Sequence, residues 1–475
     1  MLNKINHSPL LTAIHQHSLN APDKVALIQG DTFVTYKSLA EIIVLYAELL
    51  QSAGLEKGDR ILLAASKDLE MVYAYFGAHM LGIVNVVVDD TLPADRLEYI
   101  KSKTSPRLSL GIGTSIKDTI SSLKAKRDSF KFPEMTENDV ADIMFTTGTT
   151  GQPKGVCLSH ANIAGSAKNI NGFIGNDSND IEVLGLPLSH SFGLGRLRCT
   201  LFAGGTLVLL GNFANLKKFF EAIEQHHATG FGMVPAVWQY IKRFSGLRIS
   251  KYASQIRYIE IGSASLDIED KKLLMDLFPS TRICMHYGLT EASRAFFMEF
   301  HENKDNLSTI GIPTSNEVHA MIYGEDNEIC VKGNMVMKSY LDEKDNENAF
   351  VDGYFRTGDC GSCDSQGLYY LTGRVKEIIN IGGKKVNPAT IEDALRESGA
   401  SDCAVIAIPD PKGVLGEVPM AFVVKGNKTL SQIKEGLTSL LEPYQIPVSW
   451  QEIKAIPRTS SGKIQRLSLK EKIKI

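Results

Sequence analysis

Short apolar runs that suit strands alternate along this chain with apolar-periodic stretches that suit helices, and that alternation decides most of what it can fold into. Val25 to Ile28 and Phe33 to Tyr36 read as a strand pair around Gly30-Asp31, followed by a helix over about Leu39 to Ala53 that stops at Gly54. Arg60 to Ala65 reads as strand, Leu69 to Leu81 as helix and Val84 to Val88 as a buried strand. The pattern recurs at Val183 to Leu186, Thr206 to Leu210, the helix near Leu216 to His227, Gly230 to Val234 and Arg257 to Ile261. Such alternation calls for parallel or mixed sheets covered by helices, so the expected class is α/β. After Thr372 the texture changes. Glu377 to Ile381, Cys403 to Ile408 and Met420 to Val424 are strand-like, Pro388 opens a helix to Glu397, and Leu430 to Leu441 is helical, enough for a small α+β domain. A chain of 475 residues exceeds one hydrophobic core, and 43% apolar residues can fill two. The expected domains are 1–375 and 376–475, with the boundary near Lys376.

One segment points to chemistry. Residues 146–155 read Thr-Thr-Gly-Thr-Thr-Gly-Gln-Pro-Lys-Gly. Gly148 and Gly151 permit backbone angles that other residues resist, Thr146, Thr147, Thr149 and Thr150 offer hydroxyls beside the loop amides, and Lys154 adds a positive charge. Donors of this kind cradle a polyphosphate. The spacing is not that of the common phosphate loop, because Lys154 follows Pro153 and precedes Gly155. Ala141 to Phe145 suits a buried strand before the loop; Val156 to Leu158 begins another after it, and Ser159 is placed to cap a helix from Ala161.

This loop resembles the phosphate-binding signature of the acyl-adenylate-forming superfamily, which contains acyl-CoA synthetases, adenylation domains of peptide synthetases and beetle luciferases. Tyr287-Gly-Leu-Thr-Glu291, Tyr354-Phe-Arg-Thr-Gly-Asp359, Gly373-Arg-Val-Lys-Glu-Ile-Ile379 and Pro457-Arg-Thr-Ser-Ser-Gly-Lys463 follow in that family's order and approximate spacing. The resemblance runs from about Pro22 to Arg466, and Gly416 to Val424 looks most like the acyl-CoA synthetases.

The resemblance implies a small, mobile carboxy-terminal domain and an ATP-dependent acid:CoA ligase using Mg²⁺ and coenzyme A. A carboxylate is a poor electrophile; transfer to the α-phosphate of ATP turns its oxygen into AMP, a good leaving group. By resemblance, Thr146, Thr147, Gly148, Thr149, Thr150, Gly151 and Lys154 hold phosphates, Thr290 contacts phosphate and Glu291 binds the metal, a hard donor suited to Mg²⁺. Asp359 accepts from the ribose hydroxyls and Arg374 assists at ribose or phosphate. Adenine stacks near Tyr287 and touches Gly262, Ser263, Ala264 and the Gly288 turn, although Met285 stands where many relatives carry an amide. Lys463 bridges substrate carboxylate and α-phosphate, Lys376 is the hinge, and Gly382 and Gly383 line a pantetheine tunnel, with Lys384 and Lys385 near CoA phosphates. His190 sits at the mouth of an acyl pocket drawn from Phe231 to Pro235, Gly262 to Ala264 and Gly288 to Ala292, with Gly232 suggesting room there. The carboxylic acid itself is left open, as is acceptance of the acyl group by free CoA or by an acyl carrier protein.

A net charge of −3 argues against a general nucleic-acid binder. No apolar run reaches the roughly 18 residues of a membrane span, and the amino terminus lacks a leader's apolar core, so a cytoplasmic location is expected. Seven scattered Cys fit reduced thiols, and Cys360-Gly-Ser-Cys363 is read as ordinary turn and strand because no second pair accompanies it. Oligomeric state stays open, a homodimer included. Light-emitting oxidation and a non-catalytic binding role compete with the ligase reading; oxygen uptake would mark the first, ATP binding without adenylation the second.

Overall fold

A computed structural model describes residues 8–123, 132–146, 153–458 and 464–472. It divides into two compact units: the described residues of 1–147, 153–319 and 332–355, and those of 320–331 and 356–475.

The larger unit is built on two sheets. In one, the strands Val25–Gln29, Thr206–Leu209, Ile181–Leu184, Gly230–Met233, Tyr258–Ile261 and Arg282–Tyr287 lie side by side and parallel, in that order. Antiparallel strands finish it: Thr32–Thr35 at one edge, Phe296–Glu299 and Ile312–Pro313 at the other. The second sheet sets Leu108–Leu110, Arg60–Ala64, Val84–Val88 and Val140–Phe145 parallel, then adds Gly155–Ser159 and Ser339–Tyr340 antiparallel. Every residue of Val84–Val88 is buried, as expected of a strand covered on both faces.

Caps explain where the helices begin. Thr35 accepts the Ser38 amide at 3.1 Å, so the helix Tyr36–Ser52 starts three residues before the apolar pattern suggested. Asp68 caps Leu69–Met80 through Met71 N, and Ser159 forms a reciprocal capping box with Asn162 at the start of His160–Ile174. The helices Pro9–Asn20, Ala94–Thr104 and Ser191–Ala203 have no counterpart in the sequence reading. Ser191–Ala203 hides because ten of its thirteen residues are buried, Arg196 and Arg198 among them, so no polar face sets off an apolar one.

The smaller unit carries a sheet of Ala400–Pro409, Glu417–Lys425 and Ser449–Glu452, backed by the helices Pro388–Glu397 and Leu430–Leu437 around Ile391, Leu395, Val405, Val423 and Ile433. Strands Glu328–Gly333, Tyr354–Cys363 and Tyr369–Arg374 belong to a further sheet, in which Asp359 faces Arg374 across the ladder. Cys360 is buried and Cys363 exposed on the same strand. No described helix is long and apolar enough to cross a membrane.

A buried lysine gives this fold a pH signature. Lys271, 5% exposed on the helix Ile268–Leu277, donates to the Leu307 carbonyl. Burial drags its pKa down to about 8, against a weaker upward pull from Asp267. Being lower in the folded than in the unfolded chain, this pKa makes the charged lysine a liability below pH 8, relieved as pH rises toward the unfolded value. Lys271→Met should therefore raise stability at pH 7 by ~2 kcal/mol, an advantage that shrinks by pH 10. Urea midpoints of both proteins across that range check the sign.

Candidate active site

The base of the Thr/Gly-rich loop is a hairpin mouth. Phe145 faces Gly155 across the ladder, Thr146 N donates to Lys154 O at 3.0 Å, and Lys154 N donates back to Thr146 Oγ1 at 3.2 Å. Tyr99 holds the Pro153 carbonyl at 3.2 Å. The calls on Thr147, Gly148, Thr149, Thr150 and Gly151, and that on Lys463, lie outside the described residues.

Glu291 reaches the same mouth by a different route. Leu289 and Ala292 exchange backbone hydrogen bonds at 3.1 and 3.2 Å, closing a tight connection between Arg282–Tyr287 and Phe296–Glu299 with Thr290 and Glu291 at its tip. The Met337 amide grips the Glu291 carbonyl at 2.7 Å, and Tyr340 Oη donates to Glu291 Oε1 at 2.7 Å. Tyr340 is itself paired with Val156, just beyond the loop, so one strand ties the carboxylate to the loop base. Burial, then the adjacent Glu291 charge, push the Tyr340 phenol up, which keeps it a hydrogen-bond donor. Lys154 lies 4.7 Å from the Tyr340 ring centre, and its ammonium is 3.0 Å from Asp345 Oδ1. Thr146, Lys154, Tyr340 and Glu291 thus form one corner with one cation and a half-buried carboxylate.

A separate, buried ionic network centres on Glu260. Glu260, in the strand Tyr258–Ile261, takes Arg294 Nε at 3.1 Å, Arg196 Nη1 at 3.0 Å and His286 Nδ1 at 2.6 Å. Arg196 also donates to Glu182 at 2.9 Å, and Arg294 to the Ser191 and Phe192 carbonyls at 2.7 and 2.8 Å. Burial would raise the Glu260 pKa, yet Arg294, Arg196 and His286 together hold it well below the usual carboxylate range. Burial moves the His286 pKa down, against a smaller upward pull from Glu260.

This network also sets the size of two glycines packed against it. A methyl on Gly262 would fall 2.1 Å from the His286 ring, and one on Gly195 2.2 Å from Arg294 Nη1. On the side where a Cβ would lie, Gly262 leaves room for the His286 ring. A methyl on Gly232 would come within 3.1 Å of Leu186 and 3.3 Å of Phe192. Ser263 and Arg294 hold left-handed backbones, φ 74° and 52°, a strain of about 1–3 kcal/mol each that the surrounding bonds sustain. Ser263, Ala264 and Gly288 remain at least partly exposed beyond the strand ends, and Tyr287 packs edge-on against Phe296 at 5.7 Å.

His190 is exposed at the start of Ser191–Ala203, and the protein around it still lowers its pKa, with a smaller opposing pull from Asp89. Ser189 donates to Asp89 Oδ2 at 2.9 Å, fixing the turn that presents the ring.

In the smaller unit Asp359 is buried and receives Arg374 Nε at 2.9 Å, so these two called residues meet each other. Lys376 is exposed in the 3₁₀ turn Val375–Glu377. Gly382 and Gly383, φ 58° and 88°, form the exposed two-residue turn between Ile379–Ile381 and Lys384–Val386, where both positions need positive φ. Lys384 sits 4.0 Å from the centre of the Tyr444 ring, and Lys385 pairs with Asp326.

Tyr340, Asp345, Glu260, His286 and Arg294 escaped the sequence reading. A glutamate inside Tyr258-Ile-Glu-Ile261 and an arginine just before Ala295-Phe-Phe297 were available signals, since charges within buried runs are nearly always paired. Nothing local marks Tyr340, which reaches Glu291 only through strand pairing.

An α/β unit thus brings the base of a Thr/Gly-rich loop, a lysine and a carboxylate to one corner. The chain belongs to the AMP-binding enzyme family: the AMP-binding enzyme model matches residues 14–341 and the AMP-binding enzyme C-terminal domain model residues 390–463. It is 28% identical to 4-coumarate–CoA ligase 3 of Arabidopsis thaliana, over 98% of this chain and 92% of that one. It is 30% identical to 2-succinylbenzoate–CoA ligase of Bacillus velezensis, over 96% of each. The solved o-succinylbenzoate CoA synthetase of Bacillus subtilis, in complex with its acyl-adenylate intermediate, superposes with a TM-score of 0.84 at 25% identity, covering 96% of this chain and 97% of that one. The α/β class with a smaller second unit, expected from the strand and helix alternation, is the class observed.

Proposed function

We propose that this protein is an ATP-dependent carboxylic acid:CoA ligase that works through an acyl-adenylate. The observation that carries the reading is the corner in which Tyr340 joins Glu291 to the base of the loop at Thr146 and Lys154. Relatives that match it nearly end to end are named as CoA ligases, which supports a thiol as the final acceptor.

In the first half-reaction the substrate carboxylate attacks the α-phosphorus of ATP and pyrophosphate leaves. An anion approaching a polyanion needs donors and positive charge where charge accumulates. Thr146 to Lys154 supply donors to the phosphates, Thr290 adds a hydroxyl, and Lys463 brings an ammonium to the joined oxygens. Glu291 fits Mg²⁺, since it is a hard oxygen donor whose side chain is held, among the described residues, through Oε1, and Mg²⁺ suits one or two carboxylates plus substrate phosphates. When bound, Mg²⁺ neutralises phosphate charge. Asp359 receives the ribose hydroxyls, with Arg374 beside it. In the second half-reaction the CoA thiol attacks the acyl carbon, AMP leaves, and the Gly382-Gly383 turn borders the pantetheine path. Residues 376–475 swing about Lys376 between the two steps, withdrawing Lys463.

Incubation with a mixed carboxylic-acid library, ATP, Mg²⁺ and CoA should yield acyl-CoA masses with AMP and pyrophosphate. Thioester seen only on a pantetheinylated carrier protein would make a carrier the acceptor. ADP release, or no adenylate across the library despite ATP binding, would overturn the reading.

A further inference from the structure

One side chain, Tyr340, touches both the cation and the carboxylate of the candidate site. Its hydroxyl donates to Glu291 Oε1 at 2.7 Å, and the Lys154 ammonium lies over its ring, 4.7 Å from the centre. Among the described residues that ammonium pairs with Asp345 Oδ1 at 3.0 Å, and Glu291 pairs with no cation. Yet a lysine and a glutamate gathered around one phenol attract each other, the more so where water is scarce. A direct salt bridge between them would cancel the charge that each has to offer a ligand.

Tyr340 is 9% exposed, and its backbone is fixed on both sides. On one side it pairs with Val156 in the sheet, and Leu341 N donates to the Gly155 carbonyl at 2.8 Å. On the other, Asn346 Oδ1 accepts from Tyr340 N at 2.8 Å while Asn346 Nδ2 donates to the Tyr340 carbonyl at 3.1 Å. The same Nδ2 lies 3.3 Å from the Asp342 carbonyl, bounding the 3₁₀ turn Glu343–Asp345 from which Asp345 reaches Lys154. One short segment, residues 339–346, therefore presents a hydroxyl to the carboxylate, and a ring face and a counter-ion to the lysine.

We infer that Tyr340 is a positioning residue that keeps Glu291 and Lys154 apart. Its hydroxyl aims the carboxylate for the metal, as the outer partners of metal ligands do, and its ring holds the ammonium off that carboxylate. Asp345 is the counter-ion that the ammonium leaves when phosphate arrives. The inference rests on the proposed roles of Glu291 at the metal and Lys154 at phosphate.

The test is the affinity of the full chain for ATP, titrated calorimetrically without acid, once in excess Mg²⁺ and once in EDTA. Tyr340→Phe keeps the ring and loses the hydroxyl. Its Kd in EDTA should stay within about twofold of wild type, whereas the gain in affinity from Mg²⁺ should shrink about 10-fold, the low end for losing the partner of a metal ligand. A residue that only supports the fold would move both values together. Tyr340→Leu removes the ring as well, so its Kd in EDTA should also rise about 10-fold, the loss of one charge-assisted phosphate contact, as Glu291 captures the ammonium. In a Glu291→Gln background Tyr340→Leu should change that Kd by less than about twofold, because the capturing carboxylate is gone. An unchanged Mg²⁺ gain in Tyr340→Phe, an equal rise of both its Kd values, a wild-type Kd in EDTA for Tyr340→Leu, or a loss that persists in the Glu291→Gln background would each overturn the inference. Glu291→Gln that keeps the Mg²⁺ gain, or Lys154→Gln that binds metal-free ATP as wild type does, would instead overturn the role of that residue, and the inference with it.

Discussion

Replacing Lys463 with alanine will cut acid-dependent pyrophosphate exchange by about 10²–10³-fold, the effect of removing one charged donor from a transition state that gathers negative charge. The loss should appear in kcat, because an ammonium that arrives only at the reacting oxygens adds little to ground-state binding of ATP or acid. Thioester formation from preformed acyl-adenylate should survive, since the proposed movement about Lys376 takes the lysine away before the thiol attacks. That split between half-reactions sets Lys463 apart from Lys154, whose ammonium is already paired with Asp345. Equal loss of both half-reactions would mean that the substitution damages the fold.

The second large effect lies in the buried network. Glu260→Gln removes the one carboxylate shared by Arg294, Arg196 and His286. Arg196 keeps Glu182, but among the described residues Arg294 is left with the Ser191 and Phe192 carbonyls and the Ser293 hydroxyl, all uncharged. An uncompensated buried cation costs about 3–5 kcal/mol, and the urea midpoint should fall accordingly. Glu260→Gln combined with Arg294→Met should recover part of that loss, because the second change removes the orphaned charge. A double variant no more stable than the single would show that Arg294 does not depend on Glu260. The sign in pH follows as well. Glu260 titrates lower in the folded chain than unfolded, so its contribution is full above the unfolded carboxylate pKa and fades as pH falls toward the folded value.

Local signals carried the fold a long way. Val84–Val88 and Pro388–Glu397 coincide with the sequence reading because an apolar run and a proline at the first helical position are written in neighbouring residues. Ser191–Ala203 was missed because burial on all sides erases the contrast that periodicity detects. The same division holds at the candidate site. Thr290 and Glu291, or Asp359 and Arg374, stand in short motifs that a resemblance can flag. The pairing of Asp359 with Arg374, the Tyr340 hydrogen bond to Glu291 and the His286 ring over Gly262 are products of strand register. Register joins residues that sequence spacing keeps apart, so it becomes legible only once the sheets are built.

The central claim is that a carboxylate oxygen becomes bonded to the α-phosphorus of ATP. Incubating the enzyme with ¹⁸O-carboxylate acid, ATP, Mg²⁺ and CoA, then weighing the released nucleotide, tests it most directly. One ¹⁸O in AMP and none in pyrophosphate is the predicted result; unlabelled AMP, or label in phosphate released beside ADP, would contradict it.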